Sequence, residues 1–416
     1  YRYAIEHGFD FVALVHGDGQ YAPEKLPDLL APLLSGEADV VFGSRMLERG
    51  AAVRGGMPLY KYFGNKVLSS LENLLLGQRL SEYHSGYRVY SVAALRAIPF
   101  QRNTDDFHFD TEIIIQLLLA GLRIREVAIP TYYGDEICHV NGMRYGWNVL
   151  RAVVHSKLHR MSLLYDRKYD VEPPGQTYNL KLGYESSHTA ALGRVGRGER
   201  VLDIGCGQGL LASELAARGC RVTGVDLYVS ERGGTEDELR LLRADLDQFD
   251  LPVDGSEFDR VLMLDIIEHL RDPEMFMEQL RRQLAGSRAR LLLTTANIGF
   301  ISIRVGLLLG QFNYGRKGIL DRTHTRLFTF RTLRRLLEQS GFVVESLRGI
   351  PAPFPEALGL NPLSRALVRI NSAAARLLPG VFAYQILVEA RARPTVGRLL
   401  LETEQGSAKL RTAADA

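Results

Sequence analysis

Short apolar runs bounded by turn residues alternate with segments whose apolar positions recur every three or four residues. The first pattern predicts buried strands and the second predicts amphipathic helices. In the first part of the chain, strands are predicted at residues 11–15, 40–42 and 123–131, with helices at 23–34, 59–76 and 111–119. In the second part, strands are predicted at 200–204, 221–225, 260–264, 290–295, 342–347 and 383–390, with helices between them. This alternation indicates an α/β fold in both parts and a doubly wound sheet in the second.

The length of 416 residues exceeds what a single core usually supports, so we expect two domains. Residues 165–170 are dense in charge, and Pro173, Pro174 and Gly175 cannot continue a helix. These features predict a linker at residues 161–177, between domains at 1–160 and 178–393. Residues 394–416 show no apolar period, and we expect a disordered tail there.

The composition is that of a globular protein, with 46% apolar and 24% charged residues and no apolar run long enough to span a membrane. A net charge of +3 over a chain of this length gives no electrostatic footprint for nucleic acid, which would require a clustered basic face. Nucleic acid is therefore excluded as a partner, and small-molecule or lipid-linked substrates are favoured. Three irregularly placed cysteines (Cys138, Cys206 and Cys220) predict neither a disulfide framework nor a zinc site. A reducing, cytoplasmic location is therefore expected, and the oligomeric state stays open.

A glycine turn follows the predicted strand at residues 200–204. Gly205, Gly207 and Gly209 allow close approach of a ligand to the backbone. Dinucleotide-binding proteins use a different spacing, G-x-G-x-x-G, in which pyrophosphate rests on a helix N-terminus. The acid Asp203 in the preceding strand would repel a pyrophosphate and suits a positively charged ligand.

Carboxylates also follow the next strands. Asp226 ends the second strand, where it can accept hydrogen bonds from both hydroxyls of a ribose. Asp245 follows the third strand and could accept from an adenine amino group, with Leu246 packing on the ring. After the fourth strand come Asp265, Glu268 and His269, and His324 lies further on.

In this order, the features over residues 178–393 resemble the class I S-adenosylmethionine-dependent methyltransferases, which have a Rossmann-like fold. The resemblance implies that S-adenosylmethionine binds at one set of residues: Asp203, Gly205, Cys206, Gly207, Gly209, Asp226, Asp245 and Leu246. A nicotinamide-dependent dehydrogenase is the alternative, and the glycine spacing and Asp203 disfavour it.

Asp265, Glu268 and His269 are spaced i, i+3 and i+4, which places them on one face if the segment is helical. The pattern matches an acid-x-x-Glu-His segment of quinone-biosynthesis O-methyltransferases, where it is associated with a divalent metal. We expect these residues to bind a metal or to supply a base; the alternative is a capping acid beside a half-buried histidine. His324 is a second candidate base or a structural histidine.

Residues 351–380 carry an apolar stripe flanked by arginines and predict an amphipathic helix. The stripe comprises Leu360, Leu363, Leu367, Ile370, Ala374 and Leu377. We expect it to pack over the acceptor pocket as a cap; a membrane-surface or partner helix is the alternative.

Residues 1–160 contain His16, Asp18 and Gln20 at a strand end, followed by Arg45 and Arg88 in two further motifs. These motifs resemble the second half of a family 2 glycosyltransferase of the polyprenyl-phosphate sugar synthase type, with a GT-A-like fold. The resemblance implies a divalent metal near Asp18 and Gln20, with His16 in place of an acid, so that manganese is favoured over magnesium. It also implies that Arg45 and Arg88 meet phosphates.

The strand ending before His16 is preceded by too few residues for the nucleotide-binding βαβ unit of that family, so we expect this domain to be N-terminally incomplete. The sequence therefore predicts a bifunctional fusion of a partial glycosyltransferase with a methyltransferase. Its expected substrates are a glycan, a lipid-linked sugar or a related small molecule, met in the cytoplasm or at the inner face of the membrane. The alternative is that the glycosyltransferase-like half is a non-catalytic docking module.

Overall fold

The structure is a computed structural model that describes residues 1–133, 141–160, 164–171, 180–229, 238–248, 251–285, 287–394, 396–397, 400 and 403–404. The chain divides into two compact units, Tyr1–Thr177 and Tyr178–Ala416. Among the described helices, none combines the length and the apolar character that crossing a membrane requires.

Unit 1 contains a mixed four-stranded sheet with helices packed around it. Its strands are β1 (Phe11–Leu14), β2 (Val40–Ser44), β3 (Arg88–Ser91) and β4 (Ile124–Ala128). Its helices are α1 (Arg2–Glu6), α2 (Leu26–Leu34), α3 (Ala51–Arg54), α4 (Leu59–Leu76), α5 (Val92–Arg96), α6 (Phe109–Leu119) and α7 (Gly142–Arg160), with 3-10 turns at Pro23–Lys25 and Phe100–Arg102. The strand order is β1-β3-β2-β4, with β3 antiparallel to both neighbours and β2 parallel to β4.

Residues 164–171 belong to the packing of unit 1, although the sequence assigned them to a linker. Tyr169 is buried in a cluster with Ile115 and Val153. Lys168 forms an ion pair with Glu112, and its carbonyl accepts a hydrogen bond from Gln116 Nε2 at 2.9 Å. A buried aromatic ring and a paired lysine thus pack a stretch whose charge density had favoured a linker. The Pro173–Gly175 break lies outside the described residues.

Unit 2 is built on a seven-stranded sheet of order β10-β11-β9-β8-β5-β6-β7. Its strands are β5 (Arg200–Ile204), β6 (Arg221–Asp226), β7 (Leu239–Arg243), β8 (Arg260–Leu264), β9 (Arg290–Ala296), β10 (Phe342–Ile350) and β11 (Gln385–Ala392). Its helices are α8 (Ser187–Leu192), α9 (Leu210–Ala217), α10 (Pro273–Leu284), α11 (Ile301–Leu308), α12 (Phe330–Gln339), α13 (Phe354–Leu358), α14 (Pro362–Leu377) and α15 (Pro379–Phe382), with 3-10 turns at Leu246–Gln248 and Gly255–Glu257.

This sheet confirms the doubly wound, Rossmann-like prediction for the second half. Strands β5 to β9 run parallel, and only β11 runs antiparallel to both of its neighbours. The central strand β5 is apolar on both faces, since Leu202 packs in one core cluster and Val201 in another. Helices therefore cover both faces, and the carboxyl ends of β5, β6 and β8 meet at one edge of the sheet.

The segment predicted as a capping helix is broken into α13, α14 and α15, and its apolar stripe does not pack inward. Leu363, Ile370 and Leu377 of α14 are exposed, whereas Ser364 and Val368 are buried. The opposite face is held by a polar residue: Asn371 accepts from the Ala352 amide at 2.7 Å and donates to the Phe382 carbonyl at 3.0 Å. Four of the six residues of the apolar stripe are therefore exposed, while Leu367 and Ala374 are half-buried. The role of the segment as a cap over the acceptor pocket stays a prediction.

Candidate functional site

The glycine turn between β5 and α9 adopts the left-handed backbone that its sequence predicted. Gly205, Gly207 and Gly209 have φ of +78°, +55° and +74°. A Cβ atom on Gly205 would lie 2.6 Å from Cγ1 of Ile266, in the loop after β8. Glycine is therefore required at this position both by the backbone and by the close approach of the two loops.

Asp226 at the end of β6 braces this turn. Its Oδ2 accepts a hydrogen bond from the Gly207 amide at 2.9 Å, and its Oδ1 accepts from the Tyr228 amide at 2.8 Å. Asp203 is 3% exposed beneath the turn. Burial, together with the nearby Asp226, raises the pKa of Asp203 to about 7. Burial also raises the pKa of the Cys206 thiol, which stays protonated.

Asp245 lies just after β7, and β7 pairs with β6 so that Asp226 is opposite Arg243. Asp245 Oδ1 accepts from the Asp247 amide at 3.0 Å and so begins the 3-10 turn that follows. Leu246 is buried in the main core cluster of the unit. The structure thus brings Asp203, Asp226 and Asp245 to neighbouring strand ends, and their roles toward a cofactor stay predictions.

The segment from Asp265 to His269 is a turn and not a helix, which corrects the assumption of a common helical face. Asp265 takes a left-handed backbone with φ of +54°. Its carboxylate accepts from Thr294 Oγ1 at 2.8 Å and from Gln385 Nε2 at 2.8 and 2.7 Å. Ser187 Oγ donates to the same carboxylate at 3.3 Å.

Gln385 is the residue of this site that the sequence analysis missed. It is the first residue of β11, a strand that is otherwise mainly apolar. The sequence signal for this residue was a polar amide at the start of an apolar strand. A buried polar group needs a hydrogen-bond partner, so such a residue is a candidate partner for a polar group at the same edge of the sheet.

Glu268 is 2% exposed, and its Oε1 accepts from the Ala296 amide at 3.1 Å. In the described part of the chain, its buried Oε2 has no hydrogen-bond partner. Burial, reinforced by Asp265, holds the pKa of Glu268 well above its usual range. This carboxyl group therefore favours its neutral form, in which it can donate a hydrogen bond.

His269 and His324 lie together, with ring centroids 4.8 Å apart. Nδ1 of His324 contacts the Ile319 carbonyl at 2.9 Å, and Nδ1 of His269 contacts the Thr323 carbonyl at 3.2 Å. Because a carbonyl only accepts, both Nδ1 atoms carry hydrogen, so in each ring Nε2 is the nitrogen that can take up a proton. Burial lowers the pKa of His324, and His269 adds to that effect.

Across the described residues, no group of three or more His, Cys, Asp or Glu side chains is arranged to hold a metal ion. The three roles expected of Asp265, Glu268 and His269, namely binding a metal, supplying a base or acting as a capping acid beside a histidine, stay predictions.

In unit 1 both predicted phosphate-binding arginines lie in buried ion pairs. Arg45 binds Glu82 through its side chain, and its backbone amide donates to Glu82 Oε2 at 2.8 Å. Burial opposes ionisation of Glu82, but Arg45 outweighs it and holds the pKa of Glu82 below its usual range. Arg88 binds Asp110 at 3.1 Å, donates to the Ser85 and Tyr83 carbonyls, and lies 5.0 Å from the Phe42 ring centroid.

His16, Asp18 and Gln20 lie in the loop after β1. The His16 ring lies so close to Gly86 that a Cβ there would be 2.3 Å from it, and Asp18 Oδ1 accepts from the Gln20 amide at 3.1 Å. In the described ranges, His16 and Asp18 belong to no group of three or more His, Cys, Asp or Glu side chains that could hold a metal ion. Their metal-binding role and the phosphate-binding role of Arg45 and Arg88 stay predictions.

Comparison with known proteins separates the two parts in the same way. Residues 178–347 match the family model described as a methyltransferase domain. The ubiquinone biosynthesis O-methyltransferase of Psychrobacter cryohalolentis is 32% identical over 119 residues, which cover 26% of this chain and 45% of that protein.

The N-terminal part is similar to glycosyltransferases. The low-salt glycan biosynthesis hexosyltransferase Agl6 of Haloferax volcanii is 31% identical over 160 residues, 37% of this chain and 38% of that protein. The UDP-N-acetylglucosamine–dolichyl-phosphate N-acetylglucosaminyltransferase of Methanococcus voltae is 32% identical over 132 residues, 32% of this chain and 52% of that protein. The chain thus spans about half the length of the curated relatives that it matches.

Proposed function

Since residues 178–347 form a methyltransferase domain, we propose that unit 2 transfers a methyl group from S-adenosylmethionine to a glycan, a lipid-linked sugar or a related small molecule. The observation that carries this proposal is a group of acids at one sheet edge: Asp203, Asp226 and Asp265. Within the described part of the chain, none of the three forms an ion pair with lysine or arginine. An acidic edge beside a left-handed glycine turn suits a donor that is positively charged.

Each acid at this sheet edge is proposed to bind a different part of S-adenosylmethionine. We infer that Asp226 accepts from the ribose hydroxyls while it braces the glycine turn, and that Asp245 accepts from the adenine amino group. Asp203 contributes negative charge beneath the turn. When bound, the donor supplies a methyl group on a sulfonium, whose sulfur keeps the electron pair of the broken bond and becomes a thioether.

The chain's remaining task is to align the acceptor and to receive its proton. His324 and His269 are the candidate bases, because each has its Nδ1 committed to a carbonyl and its Nε2 basic. Glu268 favours its neutral form and is proposed as a hydrogen-bond donor rather than a base. Asp265, fixed by Gln385 and Thr294, positions this turn.

For unit 1 we propose that it transfers a sugar to the same substrate at the cytoplasmic face of a membrane. Asp18, with Gln20 and His16, would hold manganese or magnesium, which would neutralise a diphosphate whose oxygens complete the ligand set. The buried pairing of Arg45 with Glu82 and of Arg88 with Asp110 favours a second candidate, in which unit 1 is a non-catalytic docking module.

Calorimetry on the full chain tests the methyltransferase proposal. S-adenosylmethionine and S-adenosylhomocysteine should both bind, whereas NADH should not. Binding of NADH without binding of S-adenosylmethionine would overturn the proposal in favour of the dehydrogenase alternative. Sugar transfer by the same protein, assayed with sugar nucleotides and manganese, would exclude the docking-module role of unit 1.

A further inference from the structure

An open cavity of about 470 Å³ lies in unit 2 at the amino ends of β5, β8 and β9. Its wall holds four arginines and two carboxylates: Arg200, Arg260, Arg288, Arg290, Glu199 and Asp259. The glycine turn follows the carboxyl end of β5, and a strand of five residues is about 16 Å long. The cavity is therefore at the opposite edge of the sheet from the acids proposed to bind the methyl donor.

The two carboxylates of the wall are each paired with one arginine. Arg200 donates to both oxygens of Asp259, from Nε at 3.1 Å and from Nη2 at 2.8 Å. Arg260 donates to both oxygens of Glu199 at 3.3 Å. Two of the four arginines are thus neutralised within the cavity wall.

The other two arginines have no comparable partner. Arg288 is exposed, and within the described ranges it forms no ion pair. Nε of Arg290 lies 3.8 Å from Oε2 of Glu345, an acid outside the wall whose Oε1 lies closer to Nε of Arg391, at 3.2 Å. The wall therefore carries two positive charges that its own acids do not balance.

The strand register brings further positive charge to this edge. Arg290 of β9 is directly opposite Arg260 of β8 on one side and Arg391 of β11 on the other. Like charges directly opposite each other destabilise a sheet, and opposite charges stabilise it. Three neighbouring strands thus place arginines side by side, and an anion with several negative charges would relieve their repulsion.

We propose that this cavity binds a small molecule that carries phosphate groups, with Arg288 and Arg290 as its main ligands. A guanidinium presents a planar set of N–H donors that matches two phosphate oxygens at once. The exposed Ser256 in the wall adds a hydroxyl donor. The concave shape favours a small molecule over a macromolecule. The proposal goes beyond the methyl-transfer site and depends on neither methyl transfer nor sugar transfer.

The test is a calorimetric titration of the full chain with pyrophosphate in buffer that contains EDTA. Without divalent cations, the metal-bound diphosphate site expected in unit 1 cannot form. Pyrophosphate should bind to one site and raise the melting temperature, and added sodium chloride should weaken it. Inorganic phosphate should bind at least about tenfold more weakly, because it makes fewer charge-assisted hydrogen bonds. Absence of binding at millimolar pyrophosphate, in both measurements, would overturn the proposal.

Variants of Arg288 locate the site. Arg288→Gln should lower the affinity for pyrophosphate about tenfold, and Arg288→Lys about threefold, since lysine keeps the charge and loses the paired donors. Arg331→Gln is the matched control, because Arg331 in α12 is also exposed and forms no ion pair in the described part of the chain. It should leave the affinity unchanged.

Circular dichroism melts that match the parent protein, measured without ligand, would show that each variant is folded. Equal affinities for Arg288→Gln and Arg331→Gln would overturn the assignment of this cavity. Sulfate that binds as tightly as pyrophosphate would overturn it too, since the arginines would then form an unselective anion patch. So would a single-stranded oligonucleotide that binds more tightly than pyrophosphate and is lost in Arg288→Gln, because the edge would then serve a macromolecule.

Discussion

The two units both gather charged side chains near strand ends, but they balance the charges in opposite ways. In unit 1 two buried arginines each meet a carboxylate, Arg45 with Glu82 and Arg88 with Asp110. At the sheet edge of unit 2 Asp203 lies near Asp226 instead, and burial together with that second acid raises the pKa of Asp203 to about 7.

The paired charges of unit 1 are typical of a structural cluster, whereas the neighbouring acids of unit 2 are typical of a ligand-binding site. A pair that is satisfied within the protein has little left to offer a ligand, and its removal mainly affects folding. A group of acids without a basic partner costs stability until a cation arrives, and perturbed carboxyl groups of this kind concentrate at functional sites.

The largest effect should come from breaking a pair in unit 1. Glu82→Ala leaves the Arg45 guanidinium buried without its carboxylate, which should cost about 3–5 kcal/mol of unfolding free energy. Urea unfolding followed by Trp147 fluorescence reports on this unit. Asp28→Ala is the control, because its pair with Lys25 is exposed and should contribute nothing measurable. Equal midpoints for the two variants would show that the buried pair is not structural.

An intermediate effect is expected from an acid of unit 2. Asp226→Ala removes the acceptor proposed for the ribose and the brace on the Gly207 amide, so the binding free energy of S-adenosylmethionine should fall by about 1.5–3 kcal/mol. Calorimetry measures this change, with Asp259→Ala as the control because that acid pairs with Arg200 at the surface. Unchanged affinity in Asp226→Ala would remove this residue from the site.

The smallest effect is a pH dependence. The pKa of Asp203 is raised from 3.8 to about 7, so its contribution to stability is present in full below pH 3.8 and is lost as the pH rises through about 7. A cationic ligand prefers the ionised acid, so its affinity should rise with pH up to about 7, by at most about tenfold per pH unit. Asp203→Asn should flatten the profile, and calorimetry in buffers of different ionisation enthalpy should detect proton release on binding only in the parent. A parent profile as flat as that of Asp203→Asn would show that Asp203 does not titrate with binding.

Hydrophobic periodicity predicted the positions of the long helices and strands well, because the apolar residues of these elements mark where each element begins and ends. The bounds of α4 were predicted at residues 59–76, as observed, and the strands from β5 to β9 agree within a few residues, although β7 was located only by the acid after it. Strand β3 was missed because Arg88 and Tyr90 do not read as an apolar run, even though both are buried in the sheet.

Which face of a helix lies inside could not be predicted from amphipathicity. In α14 and α4 the apolar stripe is outside, since Asn371 in the first and Asn65 and Asn73 in the second make tertiary hydrogen bonds that only the fold supplies. The same limit applies at the site. The i, i+3, i+4 spacing after β8 indicated a helix, but the left-handed Asp265 makes a turn, and its partner Gln385 lies 120 residues away in the sequence.

The left-handed backbone at Asp265 also restricts which residues can replace it. Asparagine and glycine tolerate that conformation, whereas alanine or a branched residue would be strained by about 1–2 kcal/mol. A saturation library at this position should therefore be ranked first by backbone tolerance and only then by charge. Few amino acids can therefore replace Asp265 without a loss of stability. Few single substitutions at this position are then open to a change in the molecule that accepts the methyl group.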